Sequence, residues 1–265
     1  MKLKGLAITF LIFISFLIIA QFFVSNEAIY TVHLDDKLLK PSTSHFFGTD
    51  ELGRDVFQRV IGGAKFTLII SLVTLIFSVV IGVPMGFIAG YFRGKTETAL
   101  MSVVDIFLGI PDFMLMIALA SFLSTSIWSL AFAIMLVSWM TFARVTRTIV
   151  KGSMEKSYVK MAKELHVPTH IIIKKHLLPD VLPTLLVMMS VKFGTIILYI
   201  SSLSFLGLGA QPPSPEWGAM LNAGRYYINS QPMMIIGPAI FITATILLFN
   251  LLGDALRDKL LKGHE

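Results

Sequence analysis

The sequence contains no cysteine, and only 14% of its 265 residues are charged. Without thiols there is no disulfide framework, no thiolate metal site and no cysteine nucleophile. A soluble domain carries about 25% charged residues, so the low charge excludes an ordinary water-soluble enzyme. Catalytic and nucleotide-binding signatures are missing as well. No G-x-x-x-x-G-K-S/T occurs, and GGAKFT at residues 62–67 is only a fragment of one. There is no H-E-x-x-H and no G-x-S-x-G. The six histidines are scattered; His166 and His170 stand at i, i+4 and read as a solvated pair rather than as metal ligands. No catalytic residue, metal site or cofactor is expected.

What is abundant is apolar. Hydrophobic residues make up 55% of the chain, the mean hydropathy is +0.79, and the apolar residues fall into runs of about 20, enough to span a bilayer as a helix. Six spans are expected, over residues 5–24, 66–90, 100–123, 127–143, 182–203 and 235–253. The first, following MKLK, is too long for a cleaved leader and lacks a nearby small-x-small site, so it is expected to be a retained helix. With both termini placed in the cytoplasm, 15 of the 22 Lys and Arg fall on cytoplasmic segments and 6 outside, as the positive-inside bias requires. The net charge of +6 is then topological, and nucleic acid is not an expected partner. The chain is read as an all-α polytopic membrane protein. Residues 1–65 form a first helix and outer loop. Residues 66–258 form a five-helix core with a cytoplasmic loop at 144–181 and an outer loop at 204–234, and residues 259–265 form a cytoplasmic tail.

The cytoplasmic loop has structure of its own. Tyr158, Met161, Ala162 and Leu165 recur at i, i+3, i+4 and i+7, one apolar helical stripe, with Lys156, Lys160, Lys163 and Glu164 on other faces. Pro168 ends this helix, Thr169 is the expected N-cap of the next, and Pro179 and Pro183 mark a break before the fifth span. So short a helix needs a partner surface. Anionic lipid is one reading; a groove on another protein suits the narrow stripe equally.

The outer loops are irregular. Gly48, Gly53, Gly62 and Gly63 are read as interruptions. Asp50, Glu51, Arg54 and Asp55 form a dense mixed-charge cluster, either a solvated, self-paired loop or a lip on which another protein docks. In the second outer loop Pro212, Pro213 and Pro215 forbid a continuing helix, and Gly207 and Gly209 permit close backbone approach. Phe205, Leu206, Leu208 and Trp217 are expected as anchors at the membrane interface. Within the spans lie Asp105, Asp112 and Lys192. Ionised groups at this depth are costly, so they are read as a structural carboxylate–lysine pair, as lining of a water-filled path, or, for Lys192, as a snorkelling side chain.

Three segments carry a resemblance to a family. SYVKMAKELHVPTHIIIKKHLLPDVLP is similar to the E-A-A-x3-G-x9-I-x-L-P loop of ABC importer permeases, with Lys160, Met161 and Ala162 at the triplet, His166 at the glycine and Leu178-Pro179 at the end. HFFGTDELGRDVFQRVIGGAKFTL resembles the GTD-x-x-GRD-x-x-S-R segment of the peptide/nickel permeases, with Gln58 for the serine. LSFLGLGAQPPSPEWGAML resembles the signature of their C-type subunit. The resemblance implies a six-helix type I ABC importer permease without ATPase activity of its own. It further implies a homologous B-type permease as heterodimer partner, two ABC ATPase subunits and an extracytoplasmic substrate-binding protein. ATPase coupling would fall to Tyr158, Lys160, Met161, Ala162, Leu165, His166 and Pro179. The outer lip and channel mouth would comprise Asp50, Arg54, Asp55, Phe205, Gly207, Gly209, Pro213 and Trp217. Peptides, nickel and metal chelates all remain open as substrates. The rival reading is an ATP-independent transporter or channel, which inverted repeats with matching broken helices would favour.

Overall fold

The computed structural model describes residues 2–262; Met1 and the end of the expected tail, His264 included, lie outside the described residues. Among the described residues there is no strand, only an isolated bridge between Thr49 and Asp55. The helices are α1 (Lys2–Gln21), α2 (Asn26–Tyr30), α3 (Val56–Phe92), α4 (Gly94–Leu108), α5 (Asp112–Phe122), α6 (Ile127–Ser153), α7 (Ser157–Glu164), α8 (Thr169–Ile172), α9 (Leu178–Phe205), α10 (Trp217–Gly224) and α11 (Met233–Lys262). Four long apolar helices can cross a membrane, namely α3, α6, α11 and the continuous helix 169–205. The pair α4–α5 makes a fifth crossing if counted as one bent span. The apolar part of α1, Gly5–Gln21, measures about 26 Å at 1.5 Å per residue, just short of a hydrocarbon core of about 30 Å.

Several boundaries differ from the sequence reading, each for a physical reason. The helix of the second span begins at Val56 rather than near residue 66, because the Asp55 carboxylate caps it by accepting from the Gln58 N–H at 2.8 Å. The boundary drawn at residue 65 therefore lies inside α3, and Gly62 and Gly63 are helical rather than interruptions. The third span is broken: α4 and α5 meet at 88° across Gly109–Pro111, where Pro111 lacks the N–H a continuing helix needs. The fourth runs on to Ser153, well beyond residue 143. Pro179 and Pro183 do not break the fifth. Pro179 sits in the first turn of α9 and Pro183 inside it, and a π turn at Ile173–Leu177 joins α8 to α9 without interruption.

The core is organised on α3 and α6. Lipid tails are as apolar as leucine, so helices in a membrane associate through close contact and satisfied polar groups. α3 supplies both on one face. Thr67, Ser71, Thr74 and Ser78 are fully buried, and the last three donate to the carbonyls four residues back at 2.7–2.8 Å. The same face continues as Gly82, Gly86 and Gly90, each against the backbone of α6. A Cβ at Gly86 would lie 2.5 Å from the Ala143 carbonyl oxygen, one at Gly90 2.9 Å from that of Arg147, and one at Gly82 would overlap that of Trp139. α9 and α11 pack beside this pair, and α1 leans on α11 through an edge-on contact of Phe10 with Phe249, centroids 4.8 Å apart.

This close contact is testable. Gly86→Leu must push α3 off α6 and is expected to abolish recovery of monodisperse protein. Gly86→Ala, at an overpacking cost of about 1–3 kcal/mol, should lower the melting temperature in detergent measurably. Ala89→Gly, at a buried position of the same helix, should lower it too, through a small cavity and lost helix propensity. A thermal-unfolding series reads all three.

Candidate functional site

Residues 26–55 and 206–232 form one end of the bundle, the lip end; the α3–α4 turn and α7 form the other. At the lip end the charge cluster is self-paired but not solvated. Asp50, Arg54, Asp55 and Arg59 are all buried. The Asp50 carboxylate accepts from the N–H groups of Leu52 and Arg54 at 2.9 and 3.0 Å, from Arg54 Nε at 2.7 Å, and pairs with Arg59 Nε at 3.4 Å. Gly53 turns the chain at φ +76°, pressed against the His33 carbonyl. Asp55, besides capping α3, is 2.8 Å from His45 Nδ1. Arg59, the last residue of the GTD-x-x-GRD-x-x-S-R match but given no role by the sequence reading, donates to the carbonyl of Ile29 at 2.6 Å and approaches that of Pro213 at 3.5 Å, so it ties the first lip segment to the second. Buried pairs of this kind cannot lose one partner without stranding the other.

The second lip segment is also packed inward. α9 ends in a Schellman motif: Gly207 at φ +84° donates to the Ser204 carbonyl, and Leu208 N–H to that of Leu203 at 3.0 Å. Trp217 is not an interfacial anchor. It is fully buried against α3, its indole Nε1 donating to the Val60 carbonyl at 2.8 Å. Leu206 is exposed, Phe205 and Leu208 are half-buried, and Gly209 is buried beside Ser204. Glu216, also missed, is the fully buried cap of α10, accepting from Gly218 N–H at 3.0 Å and Ala219 N–H at 2.9 Å, with Thr67 Oγ1 at 3.4 Å. An acid between a proline run and an apolar helix was the available signal. Burial pushes its carboxyl above the ordinary range, opposed by the two backbone donors.

At the opposite end α7 is strapped to the ends of α3 and α6. Glu155 bridges Arg93 Nη1 at 2.5 Å and Lys160 Nζ at 2.8 Å; the bonds from Lys160 and then Arg93 hold its carboxyl down at about 2. Tyr91 OH lies 3.0 Å from Thr169 Oγ1, and Lys163 Nζ sits 4.7 Å above the Tyr91 ring. Thr169 is therefore not the N-cap; Pro168 holds that position, without a side-chain cap bond. Ser153 Oγ and Lys156 Nζ donate to Asp180 at 2.5 and 2.7 Å. Glu97 accepts from Lys151 Nζ at 2.8 Å and from Arg147. α7 turns Val159 into the core and half-buries Ala162, while Tyr158, Met161 and Leu165 face outward, 49%, 62% and 71% exposed. Ala162 thus belongs to the seat of the helix and not to its free stripe. His166, at φ +55°, closes α7 as the left-handed residue of a second Schellman motif, its N–H bonded to the Lys163 carbonyl and that of Val167 to Ala162. Pro179 lies in the adjoining turn of α9.

The three intramembrane charges have separate neighbours. Asp105 pairs with Arg144 at 2.5 Å, both exposed. Lys192 Nζ is 3.4 Å from Thr141 Oγ1 and has no carboxylate within ion-pair distance among the described residues. Asp112 opens α5. Among the described residues no group of three His, Asp or Glu is gathered as for a metal ion.

The state of Glu216 gives a measurable pH dependence. A carboxyl whose folded value is raised binds its proton more tightly in the folded state, so stability falls as pH rises from the ordinary carboxylate range toward that value. Glu216→Gln keeps an oxygen for the cap and removes the titration. Its melting temperature should gain on the wild type between pH 5 and pH 8, whereas Glu216→Ala should lie about 1 kcal/mol or more below Glu216→Gln at every pH because the cap is lost.

Residues 82–263 match the family described as binding-protein-dependent transport system inner membrane component. The chain is 36% identical over 263 residues to the dipeptide transport system permease protein DppC of Alkalihalophilus pseudofirmus, covering 98% of this chain and 86% of that protein. It is 35% identical over 256 residues to the glutathione transport system permease protein GsiD of Pectobacterium atrosepticum, covering 97% and 84%. In three dimensions it is similar to the inward-facing MetNI methionine ABC transporter, with a TM-score of 0.61 at 19% identity over 76% of this chain and 95% of that one. That likeness concerns the fold. The sequence matches and the apolar helices make this a multi-pass protein of the bacterial cytoplasmic membrane, and the chain belongs to the ABC importer permeases of the dipeptide and oligopeptide family.

Proposed function

We propose that this chain forms one half of the transmembrane pathway of an ATP-driven peptide importer. It works with a homologous permease, two ATPase subunits on the cytoplasmic side and an extracytoplasmic binding protein that docks at the lip end. Peptides are favoured over nickel or metal chelates because the relatives are named for dipeptide and glutathione transport.

One observation carries the coupling role. α7 is an eight-residue helix with one side seated on the bundle and an apolar stripe of Tyr158, Met161 and Leu165 left outward. A three-residue stripe on so short a helix fits a groove on a protein. Its straps lead to the end of α3, from Lys163 to the Tyr91 ring and through Glu155, in the turn before α7, to Arg93, and only three residues join it to α6. Displacement of α7 by a closing ATPase dimer therefore moves α3 and α6 directly. ATP drives transport because the nucleotide binds the closed and open ATPase dimers unequally.

Two experiments test this reading. Met161→Asp places a charge in the stripe, where an unpaired carboxylate is strongly unfavourable on docking. It should abolish ATP-dependent peptide uptake and loosen co-purification of the ATPases while membrane insertion stays normal. Lys160→Ala removes only an exposed pair worth about 0–1 kcal/mol and should leave most uptake intact. Equal loss in both would remove the case for a stripe in a groove. Orientation is read by single cysteines, since the chain has none. Ser42→Cys should react with an impermeant maleimide in intact cells and Gly152→Cys only after permeabilisation, and the reverse pattern would invert the assignment of the two ends.

A further inference from the structure

Lys192 stands midway along the 28-residue α9, the only lysine in that helix. Among the described residues its one polar contact is Thr141 Oγ1. Tyr199 lies seven residues on, two turns along the same face of α9. The Tyr199 ring packs on Phe113 with centroids 6.1 Å apart, which brings the first turn of α5, and Asp112 with it, alongside α9. Asp112, next to Phe113 in that turn, forms no ion pair with Lys192 among the described residues. Asp105 is already committed to Arg144. The structure thus holds a free ammonium, a phenol, a hydroxyl and a free carboxylate around one junction of α5, α6 and α9, all half-buried.

The elbow beside them says what lies there. Gly109, Ile110 and Pro111 break the α4–α5 helix and are exposed. Broken backbone at membrane depth is tolerated only where protein buries it or where it lines water. A lipid-facing ammonium is likewise disfavoured. A cation and an anion left unneutralised beyond ion-pair distance suit a ligand that carries both charges apart. A dipeptide does so, its two ends about 7 Å apart when extended.

We propose that Lys192, Thr141 and Tyr199 receive the α-carboxylate, and Asp112 the α-ammonium, of a zwitterionic peptide crossing the elbow of α4 and α5. The assignment rests on the importer reading above and adds a recognition site inside the membrane. A peptide terminus would be handed from one charged group to another rather than pass an unbroken apolar wall.

The test uses the complete importer in proteoliposomes, with accessible cysteines removed from its other subunits. Thr195→Cys, one turn from Lys192, is labelled with a small maleimide. Dialanine at millimolar concentration should slow labelling at least threefold, and dialanine amide, which lacks the carboxylate, should not. Adding Lys192→Met or Asp112→Asn should remove the protection, and Lys192→Arg should keep it. Labelling unchanged by dialanine would overturn the proposal. So would loss of the partner permease on purification of Lys192→Met, which would make the lysine an assembly residue. ATP-driven uptake of dialanine, trialanine and glutathione by the importer carrying the wild-type chain is measured alongside. Absence of all uptake there would sink the peptide-importer reading itself, whereas uptake without protection would sink only the site.

Discussion

The backbones of α3 and α6 touch along Gly82, Gly86 and Gly90, and what happens at both ends of the molecule follows from that contact. In a bilayer there is little hydrophobic gain in bringing two helices together, so the packing must come from close approach and from polar groups that need no outside partner. α3 meets both conditions on one face, with small residues that admit the α6 carbonyls and hydroxyls that bond back to their own helix. The pair then acts as a single strut. At the lip end α3 carries Asp55 and Arg59 into the buried cluster, and at the other end it delivers Tyr91 and Arg93 to α7. One helix of 37 residues thus runs from the α7 end to the lip.

The sequence exposes this architecture unevenly. Apolar runs are visible wherever they are long, so the membrane class and the approximate place of α3, α6, α9 and α11 could be read directly. Ends were harder. Polar residues at 144–153 resemble a loop on composition, yet α6 continues there because Arg147 and Lys151 find Glu97 across the gap. A proline reads as a stop, but Pro179 needs no donor in a first turn, and the π turn before it absorbs the irregularity. The spacing of Gly82, Gly86 and Gly90 is present in the sequence and is a known sign of close helix contact. Identifying its partner needed the fold. Burial of the lip charges was invisible for a similar reason. Asp50 and Arg54 look solvated until α2 and the segment at Pro213 close over them.

Two helix ends show how a family pattern encodes backbone geometry. α9 stops with Gly207 and α7 with His166, each in left-handed conformation and each closing the same pair of bonds. Glycine enters that region freely, whereas an L-residue costs roughly 1–2 kcal/mol. The glycine of the permease loop pattern therefore has a structural cause, and His166 shows that the turn survives without it. The motif matters through the shape it gives the end of α7. That shape exposes Leu165 beside Met161 while Val167 folds back to Ala162.

The distribution of pairing separates charges that build the protein from charges that serve it. At the lip the Asp50–guanidinium contacts are backed by main-chain bonds, and at the α7 end Glu97, Glu155 and Asp180 each have two donors. Such clusters add little net stability over well-packed apolar groups, but they are damaging to break. They fix which segments touch. The middle of the membrane is treated differently. There Lys192 has only a hydroxyl, and Asp112 stands at the head of a helix cut loose by an elbow. If these two groups served only to join helices, an ion pair or an apolar pair would do it better. Keeping both charges at membrane depth without neutralising them is unfavourable for the resting chain, and that cost is offset when a doubly charged molecule passes between them.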